Sequence, residues 1–280
     1  MPSEPSPAAD LARLRDTAPL IHNITNLVAM TPTANVLLAV GASPAMGHAR
    51  EEVADLTALA GALTVNIGTP SPHWAEAMVE AAEAAGARAT PWVLDPVAVG
   101  ATPYRRRTAG ELLARQPTVI RGNASEILTL AAERGSGRGV NSTEPTRAAA
   151  EGARQLAERT GSVVAVTGEA DLVTDGPRAF WVHGGDPLMA RVTALGCALT
   201  GVVAAFVAAE GDDTLAATAS ALACYAAAGE QAAEHACGPG SFSGHFLDTL
   251  YGLTGAGLDE RLAAEPARAA GDTTAAGPRG

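Results

Sequence analysis

Residues 118–131 read TVIRGNASEILTLA. Thr118, Val119 and Ile120 form a short β-branched run of the kind that fills a buried strand. Arg121 ends the run, Gly122 lets the backbone turn, and apolar residues return at helical spacing from Ile127. Asn123 or Ser125 suits the helix cap, and Glu126 falls in the first turn, where the helix dipole favours an acid. A strand that feeds directly into a helix is half of a β–α–β unit. Such units build parallel sheets with right-handed crossovers.

The same order repeats on both sides of this stretch. Strand-like runs fall at 20–21, 63–67, 92–94 and 163–166, with helical patterns at 8–17, 27–40, 51–59, 72–85, 109–115 and 146–159. Residues 172–174 and 179–182 predict a hairpin about Asp175 and Gly176, and from Leu195 onward the pattern is nearly all helix. The sequence therefore predicts an α/β fold with a central, mostly parallel sheet and helices on both faces. Residues 8–263 read as one domain, and residues 264–280, rich in Ala, Gly, Pro and Thr, as a disordered tail.

In such sheets ligands bind beyond the carboxyl ends of the strands. Polar or turn-permissive residues stand at that end of each run: His22 and Asn23, Gly68 and Thr69, Asp95 and Pro96, Arg121 to Asn123, and Thr167 to Glu169. This convergence favours a ligand site along one edge.

Composition narrows the chemistry. The 280 residues carry 19 basic and 30 acidic side chains, a net charge of −11, which is the wrong sign for counterion release from nucleic acid. Every basic residue is Arg, so a Walker A lysine, a Schiff-base lysine and the protein-kinase lysine are all excluded. Phosphate, if bound, must be held by Arg, metal ions and backbone N–H groups. Three scattered cysteines support neither a disulfide framework nor a zinc site, and the histidines lack metal-ligand spacing. The first residues lack a signal peptide's apolar core, and the apolar run at 202–209 is too short to cross a bilayer. A cytoplasmic protein with no membrane partner is expected.

Three segments carry candidate chemistry. Asp95, in WVLDPVAVG, closes an apolar strand; it is either a turn former before Pro96 or an oxygen ligand for a hard cation such as Mg²⁺. Arg121, Asn123 and Glu126 combine a phosphate-binding side chain with an acid that either caps the helix or organises metal-bound water. In RVTALGCALTGVVAAF, Thr193 to Gly196 turn into an apolar helix whose first N–H groups are free for an anion. Cys197, in its first turn, is expected to have a lowered thiol pKa. Cys224 reads as core filling. Met46 is either core or the wall of a pocket, and Arg105, Arg106 and Arg107 read as a solvated loop more readily than as a polyphosphate contact.

In this order, PLIHNITNLVAMTPTANVLLAVGASPAM, LTVNIGT, VLDPVAVGAT, PTVIRGNASEIL, VAVTGEADLVTDG, DPLMARVTALGCALTG and GPGSF resemble the hydroxyethylthiazole kinase family of the ribokinase-like superfamily. The segments run from about Pro19 to Phe242, and IHNITN and RGNASE are the most specific. The resemblance implies transfer of the γ-phosphoryl of ATP, with Mg²⁺, to the primary hydroxyl of 4-methyl-5-(2-hydroxyethyl)thiazole in thiamine salvage. It implies that Asn23, Met46 and Ala194 line the thiazole pocket, that Arg121, Thr167 and Gly196 bind ATP, and that Asp95 and Glu126 organise the metal. Cys197 stands where the superfamily usually has a catalytic Asp. The resemblance further implies a homotrimer with sites between subunits. One departure stands out: the family often has GTGC where this chain has Ala194, Leu195, Gly196 and Cys197. A hydroxymethylpyrimidine kinase or another small-alcohol kinase of the superfamily, and a non-catalytic vitamin-binding protein, are the competing expectations.

Overall fold

Strand and helix alternate along most of the chain. The computed structural model describes residues 4–132, 145–210 and 213–264. Helix α1 (Pro7–Thr17) leads into β1 (Leu20–Ile24), then α2 (Met30–Val40), β2 (Ser43–Ala45), α3 (Val53–Leu59) and β3 (Ala62–Asn66). There follow α4 (Pro72–Arg88), β4 (Trp92–Asp95), α5 (Pro103–Leu113), β5 (Val119–Asn123), α6 (Ala124–Ala132), α7 (Pro145–Thr160) and β6 (Val163–Thr167). The chain then forms β7 (Asp171–Thr174), β8 (Ala179–Val182), a 3₁₀ turn (Pro187–Arg191), α8 (Leu195–Glu210), α9 (Thr214–His235) and α10 (Pro239–Gly252). It closes with β9 (Leu262–Ala264).

These strands form one sheet of order β2-β1-β3-β4-β5-β6-β7-β8-β9. The six from β2 to β6 are parallel, whereas β7, β8 and β9 are antiparallel, with β7 and β8 making the expected hairpin. Side chains on adjacent residues of a strand serve opposite faces. Val93 joins the core under α1, α2, α8, α9 and α10, while Trp92 and Leu94 join the core under α3 to α7. Cys224 lies fully buried in the first of these, as core filling. Because β2 and β3 flank β1 on opposite sides, the winding direction reverses between β1 and β3. That reversal opens a crevice at the carboxyl ends of these two strands.

Several local expectations are corrected. His22 and Asn23 lie within β1 rather than after it, and Arg121, Gly122 and Asn123 within β5; the strands run on because their polar side chains find partners inside the fold. Helix α5 starts at Pro103, six residues before the apolar pattern, since Thr102 caps it by accepting from Arg105 N at 3.2 Å and Pro103 suits the first turn. The Arg105 to Arg107 run is therefore helical, not a solvated loop. Helix α10 likewise begins early, at Pro239. Strands β2 and β9 had no sequence signal; both have three residues, and β2 tolerates Pro44 because it is an edge strand. Ala264 ends β9, and residues 265–280, the expected tail, lie outside the described residues. Among the described residues no helix is long and apolar enough to cross a membrane.

Candidate active site

The reversal between β1 and β3 holds a buried polar ring. Asn26, just after β1, donates from Nδ2 to Asn66 Oδ1 at 3.0 Å and to Cys197 Sγ at 3.3 Å. Asn66, the last residue of β3, donates to Asp95 Oδ2 at 2.7 Å, and Thr200 donates to the same oxygen at 2.9 Å. Cys197 and Thr200 are three residues apart on α8 and so share a face. The ring thus ties the ends of β1, β3 and β4 to the first turns of α8. Gly68 fits against it because Asn26 leaves no room: a Cβ there would lie 2.7 Å from Asn26 Nδ2.

Asp95 is 1% exposed and its Oδ1 is buried with no hydrogen-bond partner. Burial pushes its pKa up to about 6, with Arg121 pulling the other way and Glu126 adding to the rise. Arg121 Nη1 stands 3.8 Å from Asp95 Oδ2 and donates to Gly196 O at 3.0 Å, while Nη2 donates to Thr167 Oγ1 at 2.6 Å. One guanidinium therefore joins β5, β6 and the opening of α8. Glu126 does act in a helix cap: its Oε2 accepts from Asn123 N at 2.8 Å while Asn123 Oδ1 accepts from Glu126 N at 3.0 Å. Its Oε1 accepts from Ala98 N at 2.8 Å, so the same carboxylate also holds the loop after β4.

Cys197 departs from expectation in one respect. Burial, followed by the Asp95 carboxylate, pushes its thiol up, and the hydrogen bonds from Asn66 and Asn26 only oppose that rise. These surroundings therefore favour the thiol over the thiolate. The turn before it is tight: Ala194 adopts φ +66°, a left-handed conformation that L residues rarely take. Tyr225 of α9, which the sequence reading did not single out, secures the turn by donating to Leu195 O at 2.7 Å.

A cleft of about 710 Å³ opens from this point. Arg121, Thr167 and Gly196 line it together with apolar residues such as Pro187, Met189, Ala190 and Leu222, so the three expected ATP residues come together. Asp171 also lines the cleft; burial pushes its carboxyl up to about 6, against the Gly168 N–H and Arg121. Asn23 does not face this space. Its amide donates to Ile21 O at 2.7 Å and accepts from Thr64 at 2.9 Å, so β1 and β3 use both its ends; Asn26, three residues on, is the asparagine bonded to Cys197. Met46 is half-buried in the loop after β2 and is not among the cleft residues.

Asp95 and Asp171 both feel the Arg121 guanidinium, Glu126 adds its charge near Asp95, and Asp95 Oδ1 is an orphaned buried oxygen. Among the described residues no three His, Cys, Asp or Glu side chains gather to cage a metal ion, so the fit to Mg²⁺ is that of one or two carboxylates completed by water and phosphate oxygens.

A doubly wound sheet with a helix opening and a cleft at the carboxyl ends of its strands is the architecture of the ribokinase-like α/β class. A pyridoxal kinase of Staphylococcus aureus in complex with ADP matches in fold, with TM-score 0.57 and 17% identity, over 76% of this chain and 88% of that one. More specifically, the model of the hydroxyethylthiazole kinase family matches residues 11–256. A hydroxyethylthiazole kinase of Rhizobium etli is 55% identical over 251 residues, 90% of this chain and 97% of that protein. The hydroxyethylthiazole kinase structure from Pyrococcus horikoshii OT3 superposes with TM-score 0.86 and 40% identity, over 92% of this chain and 98% of that one. The chain belongs to the hydroxyethylthiazole kinase family.

Proposed function

We propose that this protein is an ATP-dependent kinase of 4-methyl-5-(2-hydroxyethyl)thiazole, acting on its primary hydroxyl in thiamine salvage. The observation that carries the reading is the opening of α8. Its first-turn N–H groups, which a helix leaves without intrahelical partners, stand beside Arg121 and Thr167 at the cleft, and the polar ring brings Cys197 to the same turn. Phosphoryl transfer asks mainly for positioning and charge stabilisation, which such an arrangement supplies without lysine.

In this reading the apolar lining of the cleft takes the purine, and the helix opening with Arg121 takes the phosphates. Asp95 and Glu126 would hold Mg²⁺, directly or through water. When bound, Mg²⁺ neutralises charge on the phosphoryl oxygens. Cys197, held by Asn26, orients the acceptor hydroxyl, and it is the minor thiolate form that takes the hydroxyl's proton late, becoming the thiol, as a loose transition state permits. Met46 and Ala194 contribute to the acceptor pocket. The active form is a cytoplasmic homotrimer with sites between subunits, and residues 8–263 form the kinase unit.

The test is an assay with ATP and Mg²⁺ that offers the thiazole alcohol and hydroxymethylpyrimidine in parallel, read by mass spectrometry. Conversion of the thiazole alcohol to its monophosphate is expected. Better turnover of the pyrimidine would assign the related kinase activity, and binding without turnover a vitamin-binding role. Sedimentation equilibrium is expected to give a trimer; a fully active monomer would overturn the shared site.

A further inference from the structure

Among the described residues Arg105 has no anionic partner in its bonding, yet it is among the most heavily engaged side chains near the site. From the first turn of α5 its Nη1 donates to Ile67 O at 2.7 Å and to Val97 O at 2.8 Å, and its Nη2 donates to Gly68 O at 2.6 Å. Ile67 and Gly68 follow β3, and Val97 follows β4. One planar guanidinium therefore pins together the two loops that leave the carboxyl ends of adjacent strands.

Both loops act on the acids of the site. Gly68 N donates to Asn66 Oδ1 at 2.9 Å, and Asn66 in turn orients Asp95. Ala98, one residue beyond Val97, donates its N–H to Glu126 and does so from a left-handed backbone with φ +53°. Such a conformation persists only where its surroundings over-determine it. The carbonyl bonded by Arg105 immediately precedes it. Gly68 also packs against Asn26, the residue bonded to Cys197.

We infer that Arg105 is a positioning residue for phosphoryl transfer, clamping the loops after β3 and β4 so that Asp95 and Glu126 are held in register with each other. This rests on the kinase reading above. With these three bonds its guanidinium is turned to backbone carbonyls, so it is not the polyphosphate contact that the triple-arginine run suggests. Lysine cannot reproduce the clamp, because a single ammonium lacks the fork that spans two loops.

The test compares Arg105→Ala and Arg105→Lys with Arg106→Ala, a neighbour bonded only to Gly100 O at 2.9 Å. Hydrogen exchange is measured first, without nucleotide or metal. In both Arg105 variants the amides of Gly68 and Ala98 are expected to exchange about 10-fold faster or more, with α8 unchanged. Kinetics follow on whichever small alcohol the wild type phosphorylates. A fall in kcat of about 10- to 100-fold is expected, with KM for the alcohol nearly constant and a higher Mg²⁺ requirement. Arg106→Ala stays near wild type in both. Unchanged exchange at Gly68 and Ala98, or faster exchange with normal kcat, overturns the inference. So does recovery of kcat in Arg105→Lys, which would mark a simple charge contact. Should the alanine variant not fold, the lysine variant decides. Failure of the wild type on the thiazole alcohol counts against the kinase assignment alone, because exchange reports the clamp separately.

Discussion

Asn66 donates a 2.7 Å hydrogen bond to Asp95 Oδ2, while Oδ1 of the same carboxylate stays buried without a partner. The amide fixes the orientation of the acid without satisfying it. That leaves one oxygen available to a ligand and makes the ligand-free site electrostatically costly.

The cost has a definite pH signature. The folded pKa of Asp95, about 6, lies above the usual carboxylate value, so the native state binds the proton more tightly than the unfolded chain. Its contribution to stability is full below the unfolded pKa and is lost as pH rises through about 6. Asp95→Asn removes this dependence. Relative to wild type, the variant is expected to gain about 1 kcal/mol in stability between pH 5 and pH 7.5. Urea denaturation at the two pH values checks this, and an equal difference at both would show that Asp95 titrates normally.

Cys197 and Cys237 are expected to react in the reverse of the order a helix N-terminus alone suggests. Cys197 is partly buried and its thiol is pushed up, whereas Cys237 is exposed. At neutral pH iodoacetamide should label Cys237 first, as read by peptide mass spectrometry. Cys197→Ala is nonetheless expected to lower kcat by about 10²- to 10⁴-fold, the range for losing a general base, here the minor thiolate form of the cysteine. Near-normal kcat would leave the cysteine a packing role only.

Ala194→Gly is expected to stabilise the protein. A left-handed alanine is strained by about 1–2 kcal/mol, and the extra freedom of unfolded glycine offsets part of the relief. A net gain of about 0.5–1 kcal/mol follows by this arithmetic. Chemical denaturation measures it; a loss would mean that the methyl group packs usefully.

Glu126→Gln keeps size but presents only one carbonyl oxygen to two backbone donors, Ala98 N and Asn123 N. Stability should fall by about 1 kcal/mol, and kcat by about 10- to 100-fold with a higher Mg²⁺ requirement. A stability loss with unchanged kinetics would reduce Glu126 to its capping role.

The strand–helix alternation, the hairpin and the resemblance to the family were legible in the sequence because apolar period and turn residues are local properties. So was the approach of Arg121, Thr167 and Gly196 to one cleft, since each stands at or next to the end of an element whose direction the pattern already set. Tertiary structure alone decided the rest. That Asn26 rather than Asn23 bonds Cys197 depends on which amide the neighbouring strand consumes, and Thr64 and Ile21 O consume Asn23. The state of Cys197 depends on burial by residues distant in sequence, which outweighs the local helix field. Asn66, Thr200 and Tyr225 had no role legible in the sequence and Arg105 read as solvated, because their roles arise from partners up to 105 residues away, as between Thr200 and Asp95. Periodicity reports which face of an element is buried. Only the folded chain brings a donor to its acceptor, because hydrogen bonding depends on distance and angle rather than on residue type.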